Sequence, residues 1–218
     1  MTGSIVVLNP NSSQSVTDAL SEALEPLRFP SGPTIRCATL AQGPPAIESD
    51  EQVAAVAEPV CDFVREHEDD SGAFVIACFS DPGLRQVRET CVRPVFGMAE
   101  SGLLTALARG RRFGVISILE SSLARHRSYI RELGIETRLA GDLPLGLGVL
   151  ELQDRTVALD RMIIVGSRLR DEHGADVIVM GCAGMAALRD PLEEKLGIPV
   201  IEPVQAAVSM AMGTVALG

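Results

Sequence analysis

The stretch FVIACFSDPG at Phe74–Gly83 decides the fold, and VIVMGCAGM at Val177–Met185 is its counterpart. Each is a short apolar run that ends in a cysteine and continues into small, turn-forming residues. Such runs are typical of strands buried on both faces of a parallel sheet. In α/β folds, chemistry is placed beyond the carboxyl ends of such strands. The two stretches therefore predict that Cys78 and Cys182 meet at one crevice.

Length and composition limit the classes of protein that this chain can belong to. It has 218 residues, of which 46% are hydrophobic and only 3% aromatic, so one large domain or two smaller ones with aliphatic cores are expected. A net charge of −10 makes electrostatic binding of a nucleic acid backbone implausible. The longest weakly polar stretch, Pro203–Leu217, is too short to span a bilayer. A nucleic acid or membrane partner is therefore not expected.

The cysteine content indicates a reducing compartment. Five cysteines and no signal peptide after Met1 predict free thiols and a cytoplasmic location. No CxxC motif occurs, and the three histidines lie in charged stretches away from the cysteines, so no metal site is expected. Three of the cysteines are interpreted as core residues: Cys37, Cys61 and Cys91.

The rest of the chain alternates predicted strands with amphipathic helices, which favours parallel βαβ units and a doubly wound sheet. One helix is expected across Val53–Val64 with a kink at Pro59, and a loop across Gly141–Gly148. The predicted strands are Ser4–Leu8, Thr34–Thr39, Phe74–Ala77, Pro94–Phe96, Phe113–Ile118, Thr137–Ala140, Asp176–Met180 and Pro199–Glu202.

This alternation repeats once along the chain. Ile5–Ser13 matches Gly114–Ser122 at an offset of 109, and the two cysteines differ by 104. The fold class predicted is α/β, with two pseudo-symmetric doubly wound lobes, each built on a parallel four-stranded sheet. Residues 1–98 with 203–218 would form the first lobe, and residues 99–202 the second. A pseudo-twofold axis between them would place the cysteines on opposite walls of one cleft.

Two facing cysteines can invert the configuration of a carbon that carries an acidic hydrogen. One thiolate removes the proton beside a carbonyl from one face, and one thiol supplies a proton from the other. Each cysteine precedes a predicted helix start, which would lower the thiol pKa, and backbone N–H groups there could bind the enolate-like oxygen. Lys195 is the only lysine and lies on a charged helix face, so a mechanism without a cofactor is expected. The plain alternative is that both cysteines are small buried hydrophobes.

Three further polar positions are candidates for chemistry: Asn11, Ser80 and Ser117. The turn Asn9–Ser13 presents amides and hydroxyls beside a helix N-terminus, where Asn11 could contact a ligand and capping accounts for the serines. Ser80 and Ser117 have no histidine at a telling position, which argues against a Ser-His-Asp hydrolase.

The sequence resembles the aspartate/glutamate/hydantoin racemase superfamily, and most of all its hydantoin and allantoin racemase branch. The resemblance implies an enzyme that racemises without a cofactor, with Cys78 and Cys182 as the acid/base pair, in two α/β lobes and as a homo-oligomer. The matching segments are Val6–Ser13, Ile76–Leu84, Pro94–Leu103, Arg112–Ser117, Val149–Leu152, Val177–Ala186 and Gly197–Val208.

The resemblance also implies a set of substrate contacts. Asn11 matches the polar turn that touches substrate, and Ser117 matches the first of two hydroxyl residues after the fourth strand in chain order of that branch. The second of those positions is Ile118 here, and the loop Gly141–Gly148 lacks the expected Arg- and Ser-bearing pattern. The residues matching those after each thiol are Phe79, Ser80, Ala183 and Gly184.

Three functions remain open from the sequence. The first is racemisation of a cyclic ureide or a related amino-acid derivative. The second is an activity like that of arylmalonate decarboxylase or maleate isomerase. The third is a two-lobed protein that binds a small molecule without turnover.

Overall fold

A computed structural model describes residues 3–217 of the chain. Two parallel four-stranded sheets form its framework, with strand orders β2-β1-β3-β4 and β6-β5-β7-β8. The first sheet contains β1 (Ile5–Asn9), β2 (Ile35–Thr39), β3 (Ala73–Ile76) and β4 (Val95–Gly97). The second contains β5 (Phe113–Ser117), β6 (Leu139–Pro144), β7 (Val177–Met180) and β8 (Val200–Ile201). The α/β architecture with two equivalent sheets is as the sequence predicts.

Nine α-helices connect the strands of the described residues. They are α1 (Gln14–Ala23), α2 (Asp50–Ala55), α3 (Ala57–His67), α4 (Leu84–Thr90), α5 (Met98–Arg109), α6 (Leu123–Glu132), α7 (Arg155–Asp171), α8 (Arg189–Leu196) and α9 (Pro203–Leu217). Short 3-10 turns lie at Glu25–Leu27, Glu120–Ser122, Glu136–Arg138, Glu151–Gln153 and Ala183–Leu188.

Both faces of the first sheet are buried, as continuous aliphatic strands require. Phe74 and Ile76 point to a core shared with α3 and α4, whereas Val7 and Val75 point to a larger core shared with α1 and with the second sheet. The larger core is continuous through both sheets, so the two halves are packed together rather than linked by a tether.

The helix that follows the fourth strand of each sheet packs on the other sheet. Helix α5 follows β4 but packs on β5, β7 and β8, and α9 follows β8 but packs on β1, β3 and β4. The two helices also pack on each other, where a Cβ atom at Gly102 would lie 2.5 Å from the Pro203 Cβ atom. On this packing we propose the division into residues 1–98 with 203–218 and residues 99–202, of which residues 1, 2 and 218 lie outside the described part.

The internal repeat is present, but the structure aligns β1 with β5 one residue away from the alignment predicted from the sequence. Ala73 pairs with Ile5 in the first sheet, and Val177, which lies 104 residues after Ala73, pairs with Phe113 in the second. The strands β1 and β5 therefore correspond at an offset of 108, whereas the sequence match gave 109.

Two local predictions were wrong. The helix expected across Val53–Val64 is two helices that meet at Val56. Pro59 lies in the first turn of α3, where backbone N–H groups have no partner within the helix, so a proline there breaks no hydrogen bond. The segment expected as a loop from Gly141 continues as strand to Pro144. Because β6 is an edge strand paired only with β5, it accommodates Pro144.

Candidate active site between the two sheets

One cavity between the two sheets is lined by both cysteines at issue. The space between its wall atoms, open solvent included, is about 450 Å³. Its walls come from the carboxyl ends of β1, β3, β5 and β7, which is where an α/β fold places a ligand. The lining residues are Asn11, Val16, Ile47, Ala77, Cys78, Phe79, Ser80, Ile118, Ser122, Arg125, His126, Val149, Gly181, Cys182, Ala183 and Gly184.

A tight turn after β3 positions Cys78. The Asp81 N–H donates to the Cys78 carbonyl oxygen at 2.9 Å, and the Leu84 N–H donates to the Asp81 carbonyl oxygen at 3.2 Å. Two residues of the turn adopt positive φ, Asp81 at 43° and Gly83 at 74°. Aspartate tolerates this region better than most residues and glycine adopts it freely. The sequence SDPG thus stops the strand abruptly and leaves Cys78 at the cavity wall.

Cys182 is held by a corresponding turn after β7. The Gly181 N–H donates to the Ile116 carbonyl oxygen at 2.8 Å, and a Cβ atom at Gly181 would approach that oxygen to 2.6 Å. A side chain at position 181 is therefore excluded by the neighbouring strand. Cys182 begins the 3-10 turn Ala183–Leu188, and its Sγ atom accepts the Gly184 N–H at 3.4 Å.

Burial dominates the ionisation of both thiols. It raises the pKa of Cys78 to about 11, although the Ser80 backbone N–H opposes the shift. It raises the pKa of Cys182 to about 12, against the Gly184 N–H, and the negative charge of Cys78 adds to the rise. The expectation that a helix start lowers the thiol pKa was therefore wrong in its net sign, because one or two N–H groups do not compensate for lost hydration.

Asp81 connects the Cys78 turn to the rest of the molecule. Its carboxylate accepts the Ala99 and Glu100 N–H groups, both at 2.9 Å, and the Tyr129 hydroxyl at 3.1 Å. It thus caps the N-terminus of α5 from a distant part of the chain. Burial raises the pKa of Asp81 to about 7, and the same N–H groups oppose this shift.

Asn11 lies in the cavity wall with its oxygen already engaged. The Asn11 Oδ1 atom accepts the Asn9 amide and the Ser13 N–H, each at 2.9 Å. The amide nitrogen is the end of Asn11 that remains for a ligand. Ser13 occupies the N-cap position of α1, but its side chain makes no capping hydrogen bond there. The expected capping role of the Ser13 hydroxyl is therefore wrong.

His126 is the main functional candidate that the sequence reasoning missed. It is 4% exposed, lines the cavity and packs edge-on against Phe79 with ring centroids 5.1 Å apart. Its Nδ1 atom lies 3.0 Å from the Ser117 Oγ atom and 3.1 Å from an Asp142 carboxylate oxygen. Sequence spacing therefore did not reveal that His126 adjoins Ser117 and lines the same cavity as the two cysteines. The other two histidines, His67 and His173, do not line that cavity.

The predicted contact residues divide into two groups. The two cysteines share the cavity wall with five of the predicted contact residues: Asn11, Phe79, Ser80, Ala183 and Gly184. Ser117 does not: it is fully buried behind the wall, and its hydroxyl donates to Asp142 at 2.5 Å. The neighbouring position, Ile118, does line the cavity.

Hydrogen bonds between the two halves hold three residues of the cavity wall: Val149, Ser80 and Arg125. The Glu48 carboxylate accepts the Val149 N–H at 2.8 Å, and the Ser121 hydroxyl donates to the Glu48 carbonyl oxygen at 3.1 Å. Arg125 spans the halves as well, donating to the Ser80 hydroxyl at 3.0 Å and pairing with Asp50. Sequence patterns gave no signal for these residues, since each lies in an ordinary polar segment.

Comparison with known proteins identifies the class. Residues 5–211 match the family model described as Asp/Glu/Hydantoin racemase, and the chain belongs to this family. It is therefore related throughout its length to isomerases, as the resemblance of its motifs predicted.

Individual relatives and solved structures extend this finding. The chain is 36% identical over 217 residues to a hydantoin racemase of Paenarthrobacter aurescens, covering 98% of this chain and 92% of the relative. It superposes on an allantoin racemase from Klebsiella pneumoniae with a TM-score of 0.94 at 33% identity, covering 99% and 89% of the two chains. An arylmalonate decarboxylase mutant shares the fold at 20% identity with a TM-score of 0.71, covering 99% and 94%.

Two features are absent from residues 3–217: a membrane-spanning helix and a cluster of metal-binding side chains. No helix there is both long and apolar enough to cross a membrane. No group of three or more histidine, cysteine or acidic side chains in that range is arranged to hold a metal ion.

Proposed function

We propose that this protein is a cofactor-independent racemase that acts at a carbon beside a carbonyl group, with Cys78 and Cys182 as its two acid/base residues. The observation that carries the proposal is that both thiols line one cavity and occupy equivalent places, each two residues beyond the third strand of its sheet. Relatives named hydantoin racemase and allantoin racemase favour a cyclic ureide or a related amino-acid derivative as substrate.

The reaction balances with these two groups alone. One cysteine, as thiolate, takes the proton from the carbon, and the electron pair of the C–H bond moves into the carbonyl to give an enolate. The other cysteine, as thiol, delivers its proton to the opposite face of that carbon, and the enolate returns to the carbonyl. The product is the mirror-image molecule, and the two cysteines have exchanged protonation states.

The electrostatics favour one thiolate rather than two. The charge of an ionised Cys78 raises the pKa of Cys182 further, so ionisation of the first thiol keeps the second protonated. The Ser80 and Gly184 N–H groups stabilise whichever sulfur carries the charge. This mixed state is the one that a two-base inversion needs.

The other residues of the cavity wall would orient the substrate. The Asn11 amide and the Arg125 guanidinium are donors suited to carbonyl oxygens, and Phe79 and Val149 provide apolar surface. No step in this scheme needs a metal or an organic cofactor. A cytoplasmic location and a homo-oligomeric state remain predictions.

The test is a panel of single enantiomers of 5-methylhydantoin, allantoin, aspartate and glutamate, followed by optical rotation, with an arylmalonate and maleate assayed alongside. Loss of rotation with a ureide supports the proposal. Carbon dioxide release from an arylmalonate, conversion of maleate to fumarate, or binding without turnover would each replace it with another function.

Matched cysteine variants assign the roles. Cys78→Ser and Cys182→Ser should each lower the racemisation rate by about 100-fold or more, since an alcohol is a much weaker acid than a thiol. Cys61→Ala is the control, because Cys61 is a buried free thiol outside the cavity. Full activity in either serine variant would remove that cysteine from the mechanism.

A further inference from the structure

His126 lies in the wall of the active-site cavity, but the two-thiol mechanism gives it no role. The side chain is 4% exposed and its ring is fixed by the edge-on contact with Phe79. A buried imidazole needs partners for both ring nitrogens. The partners that the fold supplies are all at one nitrogen.

The hydrogen bonds at Nδ1 determine which nitrogen carries the proton. Asp142, whose side chain is 8% exposed, places a carboxylate oxygen 3.1 Å from Nδ1, and a carboxylate can only accept. The Asp142 carboxylate therefore fixes a proton on Nδ1. Ser117 donates to the other Asp142 oxygen at 2.5 Å and fixes the carboxylate in turn.

The other nitrogen is left without a protein partner. Among residues 3–217 the His126 Nε2 atom makes no hydrogen bond, whereas Nδ1 makes two. The fully buried side-chain atoms without a partner in that range are Ser71 Oγ and Ser101 Oγ, so Nε2 keeps some exposed surface. An imidazole whose single proton is fixed on Nδ1 has a lone pair at Nε2 and accepts a hydrogen bond there.

This trio is not a hydrolytic triad. In a triad the serine and the carboxylate bind opposite ring nitrogens. Here Ser117 and Asp142 both contact Nδ1, and Ser117 has no exposed surface through which to attack a substrate.

We propose that His126 Nε2 accepts a hydrogen bond from an N–H group of the substrate, with Asp142 and Ser117 as positioning residues. The inference rests on the proposed racemase function and adds one substrate contact to it: the N–H beside the reacting carbon of a ureide or amide. Arg125, next to His126 in the chain, lines the same cavity and can donate to the flanking carbonyl oxygen. Donor and acceptor together match the alternating N–H and C=O groups of a ureide.

The test measures kcat/KM for 5-methylhydantoin and its N1-methyl and N3-methyl derivatives with the wild type and His126→Phe. Methylation at the contacted nitrogen should lower the wild-type value about 10- to 100-fold, as should His126→Phe with the parent compound. In His126→Phe the same methylation should cost less than about 2-fold, because the hydrogen bond is already absent. His67→Phe is the control, since His67 stacks on Phe63 outside the cavity.

Asp142 variants test the positioning role. Asp142→Asn offers an oxygen to Nδ1 and should keep the discrimination against the methylated compound, whereas Asp142→Leu should lose it. Equal discrimination in the wild type, His126→Phe and Asp142→Leu would overturn the inference, as would full activity of His126→Phe. Urea unfolding shows whether each variant is folded.

A binding measurement separates this inference from the proposed function. Calorimetry uses 5,5-dimethylhydantoin, which has both N–H groups but no hydrogen on the carbon that would react. If the wild type binds it and His126→Phe binds it about 10-fold more weakly, the contact is supported even in the absence of racemisation. Equal binding by both proteins, or no binding by the wild type, overturns the contact.

Discussion

The ionisation of the two thiols that line the cavity, Cys78 and Cys182, gives a quantitative prediction. With a pKa of about 11, Cys78 is about 0.1% thiolate at pH 8, whereas a thiol at the ordinary value of 9.0 is about 10% thiolate. Cys182, with a pKa of about 12, is about 0.01% thiolate. Because only the thiolate reacts with alkylating agents, both should be slow at pH 8, and their rates should rise about tenfold per pH unit through pH 10.

Alkylation by iodoacetamide, followed by peptide mass spectrometry, measures each cysteine separately. Accessibility changes the absolute rate but not the pH at which the rate levels off, so the shape of the profile is the relevant quantity. In Cys78→Ser, the Cys182 profile should move to lower pH, but only slightly, because burial outweighs the charge of Cys78 as the cause of the shift. A plateau below pH 9 at either cysteine in the wild type would refute the argument that burial controls these thiols.

Three further predictions concern the residues that shape the site. Asp81→Ala should lower the free energy of unfolding at pH 8 by about 3 kcal/mol, because two N–H groups of α5 and the Tyr129 hydroxyl lose their acceptor; urea unfolding measures this, and a loss below about 1 kcal/mol would contradict it. Glu48→Gln keeps an acceptor for Val149 but removes a charge that raises the pKa of Cys182, so the Cys182 alkylation profile should shift to lower pH, and an unchanged profile would argue against that electrostatic effect. Gly102→Ala should lower the free energy of unfolding by about 1–3 kcal/mol, and with it the melting temperature, because the new Cβ atom would collide with Pro203 and separate α5 from α9. An unchanged melting temperature would show that the two helices move apart at no cost.

The fold was largely predictable because its signals are local. The apolar composition of runs such as Phe74–Ile76 and Val177–Met180 predicts that they are buried, and the turn residues after them end the strands. The placement of Cys78 and Cys182 at one cavity then follows from the repetition of the same unit. The one-residue error in aligning β1 with β5 arose because adjacent aliphatic residues are interchangeable in a strand buried on both faces.

The rest of the site depends on tertiary contacts that leave no local pattern. His126 lies in a strongly charged helix, and nothing near it in the sequence indicates that its side chain faces inward. Its partner Asp142 lies in a segment that was expected to be a loop, and only the pairing of β6 with β5 places it beside the ring. The thiol pKa also requires burial, which the sequence does not quantify.

The most direct test of the central claim is racemisation of one enantiomer of 5-methylhydantoin in D₂O at early times, with the isotope content of both enantiomers measured. With two separate bases, the abstracted proton stays on one sulfur and the other sulfur delivers deuterium. The account therefore predicts that the product enantiomer is fully deuterated while recovered substrate still carries protium. Product that retains protium, or deuterium entering both enantiomers at equal rates, would contradict inversion by two cysteines acting from opposite faces.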